Sequence, residues 1–174
     1  SYFSYFSYNA VSWSVSTELA FYLAFPFFID RWCETFWWKL ALAASIVTAT
    51  IALCDLFRLG DYQPDGITTH ALVYISPLGR ILEFVTGIAC CSIFRWLWPR
   101  APTSFMIFTA IEAACVAAIY FTMSAGPANW FYADASVGFR MWLAHSSSLP
   151  ACALVVIAFS FGRGLLSRIA STRR

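Results

Sequence analysis

The chain has 174 residues, of which 60% are hydrophobic, 19% aromatic and only 11% charged, with a net charge of +2 and a mean hydropathy of +0.68. A soluble domain carries roughly a quarter of its residues charged, so the composition excludes a water-soluble enzyme and predicts a polytopic membrane protein. The eleven basic residues are scattered rather than clustered, which leaves no nucleic-acid footprint.

The chain opens on SYFSYFSYN, with neither an initiator Met nor a basic leader, and reads as a fragment of a longer frame. A hydrocarbon core about 30 Å thick takes about 17 to 25 apolar residues per helix. Five stretches meet that need: Trp13–Ile29, Trp37–Phe57, Leu78–Leu97, Phe105–Ser124 and Leu143–Phe161. No strand alternation or fixed-period repeat interrupts them. The expected fold is therefore all-α, a transmembrane bundle of about five spans forming one membrane domain over 1–174.

The first stretch places a carboxylate, Glu18, among Trp13, Val15, Leu19, Phe21, Tyr22, Leu23 and Phe25. An ionisable group within a span is costly and marks a functional candidate. Pro26, like Pro150 in the fifth stretch, is expected to kink its span. Pro77 opens the third stretch, and Pro99 and Pro102 close it. Arg80 and Glu83, three apart, share one helix face near its start. Glu18, Arg80 and Glu83 fall at one depth, which predicts a shared polar cluster. Gly87, one turn beyond Glu83, predicts close approach by a neighbouring helix. Glu112 lies deeper, in the fourth stretch, with no evident partner. Each of these charges has a second reading, as packing glue between helices.

His70 and His145 fall in or beside loops and read first as polar loop residues. Ser146, Ser147 and Ser148 ahead of Pro150 look like a helix start. The six cysteines have neither metal-ligand nor disulfide spacing, and no metal is expected. Eight of the eleven basic residues (Arg31, Lys39, Arg95, Arg100, Arg163, Arg168, Arg173, Arg174) fall on one side of the predicted topology. The positive-inside rule then puts the N-terminus outside and the C-terminus in the cytoplasm.

The segment WSVSTELAFYLAFP resembles the signature of the acyltransferase 3 family, integral-membrane acyltransferases of cell-surface carbohydrates: Trp13, Ser14, Glu18, Phe21, Tyr22 and Pro26 match in order. Arg80, Glu83, Phe84 and Gly87 resemble that family's Arg-x-x-Glu-Phe-x-x-Gly helix, and the tail RGLLSRIAS is similar to the stretch before its closing helix. Thr17, Leu19 and Ala20 depart from the commonest form of the first motif. The resemblance covers the middle of a pattern of about ten spans. It implies that the family's histidine-bearing first helix lies upstream of Ser1, and that the fragment alone is inactive.

The resemblance implies an enzyme of the bacterial inner membrane that moves an acyl group, often acetyl, from acyl-CoA as donor substrate to a hydroxyl of a carbohydrate or glycolipid acceptor, with no bound cofactor. Glu18, Arg80 and Glu83 would be catalytic, and Trp13, Ser14 and Tyr22 would bind substrate. A hydroxyl needs a base and the acyl carbonyl needs positive charge beside it. The rival readings are a glycolipid transporter or flippase, and a non-catalytic membrane scaffold.

Overall fold

A computed structural model of the chain describes residues 12–60, 67–125 and 134–171. They are all-helical: α1 (Ser12–Ile29), α2 (Trp32–Leu56), a π-helical turn (Ala71–Ile75), α3 (Pro77–Leu97), α4 (Phe105–Ala125), α5 (Val137–Ser146), α6 (Leu149–Ser160) and α7 (Leu165–Ser171). Four helical segments, Trp32–Leu56, Ala71–Leu97, Phe105–Ser124 and Val137–Ser160, are long and apolar enough to cross a membrane. The first expected stretch corresponds to α1, whose apolar part among the described residues is Ser14–Ile29.

The distribution of side chains explains which solvent these helices suit. Large apolar groups point outward: Tyr22 is 72% exposed, Phe27 79% and Trp38 77%. Many small or hydroxylated residues are buried beside core residues such as Val85, Ile75 and Phe108, among them Ala43, Thr17, Thr50, Thr68, Thr69, Ser146 and Ser167. Hydrocarbon does not drive apolar surfaces together, so helices meet through small residues and internal hydrogen bonds. The outward apolar faces suit contact with lipid.

The chain divides into two compact units. The first comprises Ser1–Val85 and Trp130–Ser146. Here the rings of Phe21, Phe25 and Phe28, spaced along one face of α1, surround Phe84, with Phe21 stacked on it at 4.7 Å. The Thr17 hydroxyl donates to the Ile75 carbonyl at 2.9 Å, tying α1 to the π-turn. The Asp55 carboxylate accepts the Gly138 N–H at 3.0 Å, so α2 caps the exposed donors at the start of α5. Arg31 and Arg58, on either side of α2, both adopt left-handed backbone conformations with φ of 43° and 49°.

Proline sets the break before α3. Pro77 cannot donate to a preceding turn and forces Ser76 into an extended conformation, ψ 141°. The π-turn therefore ends at Ile75, and α3 begins at Pro77. Gly79 makes the junction possible, because a Cβ there would meet the Val73 carbonyl oxygen at 2.1 Å. The third predicted stretch thus has a helical preface that hydropathy missed. Gly87 needs no such explanation. An added Cβ meets nothing within 4 Å, so the close approach expected there does not occur among the described residues.

The second unit comprises Thr86–Asn129 and Ser147–Arg174. Helix α4 packs against α6 and α7. Pro150 lies within the membrane-length segment Val137–Ser160, as expected, and sits in the first turn of α6, where the missing N–H costs nothing because no intrahelical acceptor exists. The serine run does precede a helix start, although Ser148 makes no side-chain capping bond.

Candidate functional site

In the first unit a polar centre forms on α3 and α5. Three-residue spacing puts Arg80 and Glu83 on one face, and Arg80 Nε meets Glu83 Oε2 at 2.8 Å. The other oxygen, Oε1, accepts the Ser146 hydroxyl at 2.6 Å. Glu83 therefore has each oxygen engaged, one by a cation and one by a neutral donor. Such charge-assisted bonds fix both side chains more firmly than neutral ones would.

The π-turn supplies the wall of this centre. It turns the Tyr74 ring beneath the Arg80 guanidinium, 5.2 Å from its carbon, and the His145 ring lies 4.2 Å from Tyr74. His70, just before the π-turn, lies 4.9 Å from Tyr74 and 5.9 Å from His145. Insertions of this kind in a helix recur at functional sites, because the extra residue re-aims a side chain. Both histidines, expected in or beside loops, lie in this helical wall instead. One signal is available for each: His145 falls inside the apolar stretch Leu143–Phe161, and His70 borders a membrane-length segment that begins at Ala71 rather than Leu78.

Glu18 stands apart. It is exposed on α1, and among the described residues it makes no ion pair with Arg80. Its neighbour Thr17, one position earlier, faces inward instead. Of the residues expected to bind substrate, Ser14 is half-buried, Tyr22 is exposed, and the Trp13 side chain lies outside the described residues.

Within the second unit one oxygen of Glu112 is engaged by backbone, while Oε1 is buried without a partner among the described residues. The side chain is 0% exposed, and Oε2 accepts the N–H groups of Leu166 and Ser167 at 2.9 and 3.3 Å. Thr109, one turn earlier on α4, accepts the Leu165 N–H at 3.1 Å. Together they satisfy the first-turn donors of α7. Gly164 leaves room for the carboxylate: a Cβ there would lie 2.3 Å from the Glu112 carboxyl. Arg163 is held nearby by the carbonyls of Ala101 and Pro102 and by the rings of Trp98, Phe108 and Phe161. Glu112 here is an anchor for backbone, a role that a single sequence could not reveal because its partners are main-chain atoms. Among the described residues no three His, Cys, Asp or Glu side chains gather as a metal site would require.

Comparison with known proteins adds one finding. Over 112 residues the chain is 30% identical to the acyltransferase MdmB of Streptomyces mycarofaciens. The similarity takes in 59% of this chain and 29% of that protein, so the chain spans well under a third of its relative's length. No family model matches, and no solved structure does. The class these observations define is an integral membrane protein of helical architecture. Within it, the likeness is to an acyltransferase.

Proposed function

We propose that the chain is the middle part of a membrane-bound acyltransferase that moves an acyl group from acyl-CoA to a hydroxyl of a cell-surface or lipid-linked carbohydrate. The likeness to an acyltransferase carries this reading. The Arg80–Glu83–Ser146 centre supports it, since acyl transfer needs a fixed cation where the carbonyl oxygen or the donor's anionic groups gather charge. Glu83 and Ser146 fix the rotamer of Arg80, and Arg80 holds the charge.

Glu18 keeps a place in the proposal on grounds of cost. A carboxylate on an apolar helix costs up to about 2.5–3.5 kcal/mol at mid-membrane and less toward the end where Glu18 falls, a cost a purely decorative residue would not recover. We assign it to orienting the base or holding the acceptor, with partners outside the described residues. The orientation proposed is N-terminus outside and C-terminus in the cytoplasm, in a bacterial inner membrane.

The test is transfer of labelled acetyl from acetyl-CoA to membrane glycan by the full-length protein. Arg80→Gln and Glu18→Gln, at unchanged membrane abundance, should each abolish labelling. Full labelling by both variants would refute the assignment of these side chains, and no labelling by the unaltered protein would refute the activity.

A second reading draws on one observation. Two of the membrane-length segments are interrupted, at Ser76–Pro77 and at Ser147–Ser148. Broken helices are characteristic of transporters. A glycolipid-flipping assay with acyl-CoA omitted separates this reading from the first, because only a transporter moves its cargo without the donor.

A further inference from the structure

The histidines beside the Arg80–Glu83–Ser146 centre have no task in the acyl-transfer reading. His145 Nδ1 lies 2.8 Å from the Met141 carbonyl oxygen. A carbonyl only accepts, so Nδ1 carries the proton and Nε2 of the neutral ring presents a lone pair. Among the described residues nothing donates to that lone pair.

Three positions earlier, Trp142 Nε1 is buried with no acceptor among the described residues. Its spacing of three and four puts it on the face of α5 that carries His145 and Ser146. A buried N–H without a partner costs about 1–3 kcal/mol. Arg80 engages Glu83 through Nε, and its guanidinium lies over Tyr74, the ring that also contacts His145. Around the Tyr74 ring the centre thus offers a neutral acceptor and a charged donor fork, and the same face of α5 carries an orphan donor one turn away.

Hydroxyl groups both donate and accept, so a polyol satisfies all three. An inorganic anion fits poorly, because sulfate brings no donor for Nε2 and any anion meets the Glu83 charge at the same point. We propose that this centre binds a polyhydroxylated ligand, a saccharide, with His145 Nε2 accepting a hydrogen bond from a ring hydroxyl. The proposal rests on the acyl-transfer reading only where it names that saccharide as the acyl acceptor.

Footprinting tests it on the full-length protein in copolymer discs, where no sugar detergent competes. Diethyl pyrocarbonate modifies an unprotonated imidazole nitrogen, and peptide mass mapping reads His145 separately from His70. Methyl glucoside is the probe and cyclohexanol the control. The glucoside should slow modification of His145 at least about threefold, as one net hydrogen bond implies, and cyclohexanol should not. Protection by neither, or equally by both, overturns the saccharide site. In the transfer assay His145→Leu should raise KM for the acceptor roughly threefold to tenfold with a smaller change in kcat, and His145→Gln should recover it. An unchanged KM in His145→Leu overturns the proposal. A wild-type protein without transfer ends the acyltransferase reading, while the footprint still decides the site.

Discussion

The Ser146 hydroxyl donates to Glu83 across 63 positions of sequence, at 2.6 Å, and so joins α5 to α3 through the carboxylate that also holds Arg80. The consequence is coupling. Removing any one of the three side chains alters the other two.

Glu83→Leu leaves Arg80 without its counter-charge and Ser146 without its acceptor. It should cost about 1–3 kcal/mol of thermal stability in detergent. Ser146→Ala should cost less, about 0.5–1.5 kcal/mol. A double-mutant cycle checks the linkage: additive losses for Glu83→Leu and Ser146→Ala would mean that the hydrogen bond contributes nothing.

The two glycines of α3 should behave oppositely. Gly79→Ala drives a methyl group into the Val73 carbonyl oxygen, 2.1 Å away, and should lower folded membrane abundance. Gly87→Ala meets open space and should leave stability within about 0.5 kcal/mol. Fluorescence size-exclusion profiles of the two variants, compared after heating, distinguish them; equal profiles would contradict the junction geometry.

Glu112 gives a finer contrast. In Glu112→Gln the amide oxygen can still accept from Leu166 and Ser167, so the protein should survive with a modest loss. Glu112→Leu strands those two donors and should cost about 1–3 kcal/mol. Gly164→Ala should resemble Glu112→Leu, since the added methyl displaces the same carboxylate. The readout is melting temperature in detergent for the three variants side by side.

The proposed orientation can be read from a native thiol. Cys33 is exposed at the first turn of α2, beside Arg31. A membrane-impermeant maleimide should label it only after cells are permeabilised, with peptide mapping to exclude the other cysteines. Labelling of intact cells would reverse the topology.

Hydropathy made the helical class and the ends near Ile29 and Leu97 legible, because lipid demands long apolar runs and proline marks their limits. It could not place Ala71–Ile75, whose helix ends at Pro77 and reads as a separate loop. The pairing of Arg80 with Glu83 was legible from their spacing of three. The company of Tyr74, His70, His145 and Ser146 was not: these residues are brought together by a turn geometry and by contacts more than sixty positions apart. Glu18 illustrates the reverse limit. Shared depth along two helices fixes a level in the membrane, but the direction around each helix decides who meets whom, and α1 turns Thr17 inward while Glu18 faces out.

The bond from Glu112 to the start of α7 also sets an order of assembly. During synthesis α4 emerges 54 positions before the N–H groups that its carboxylate will hold. Until Leu166 and Ser167 arrive, that carboxylate lacks the two backbone donors that hold it in the finished protein. The half-made protein thus carries a mark of incompleteness that the finished one conceals, and a membrane quality-control protease could tell the two apart by it.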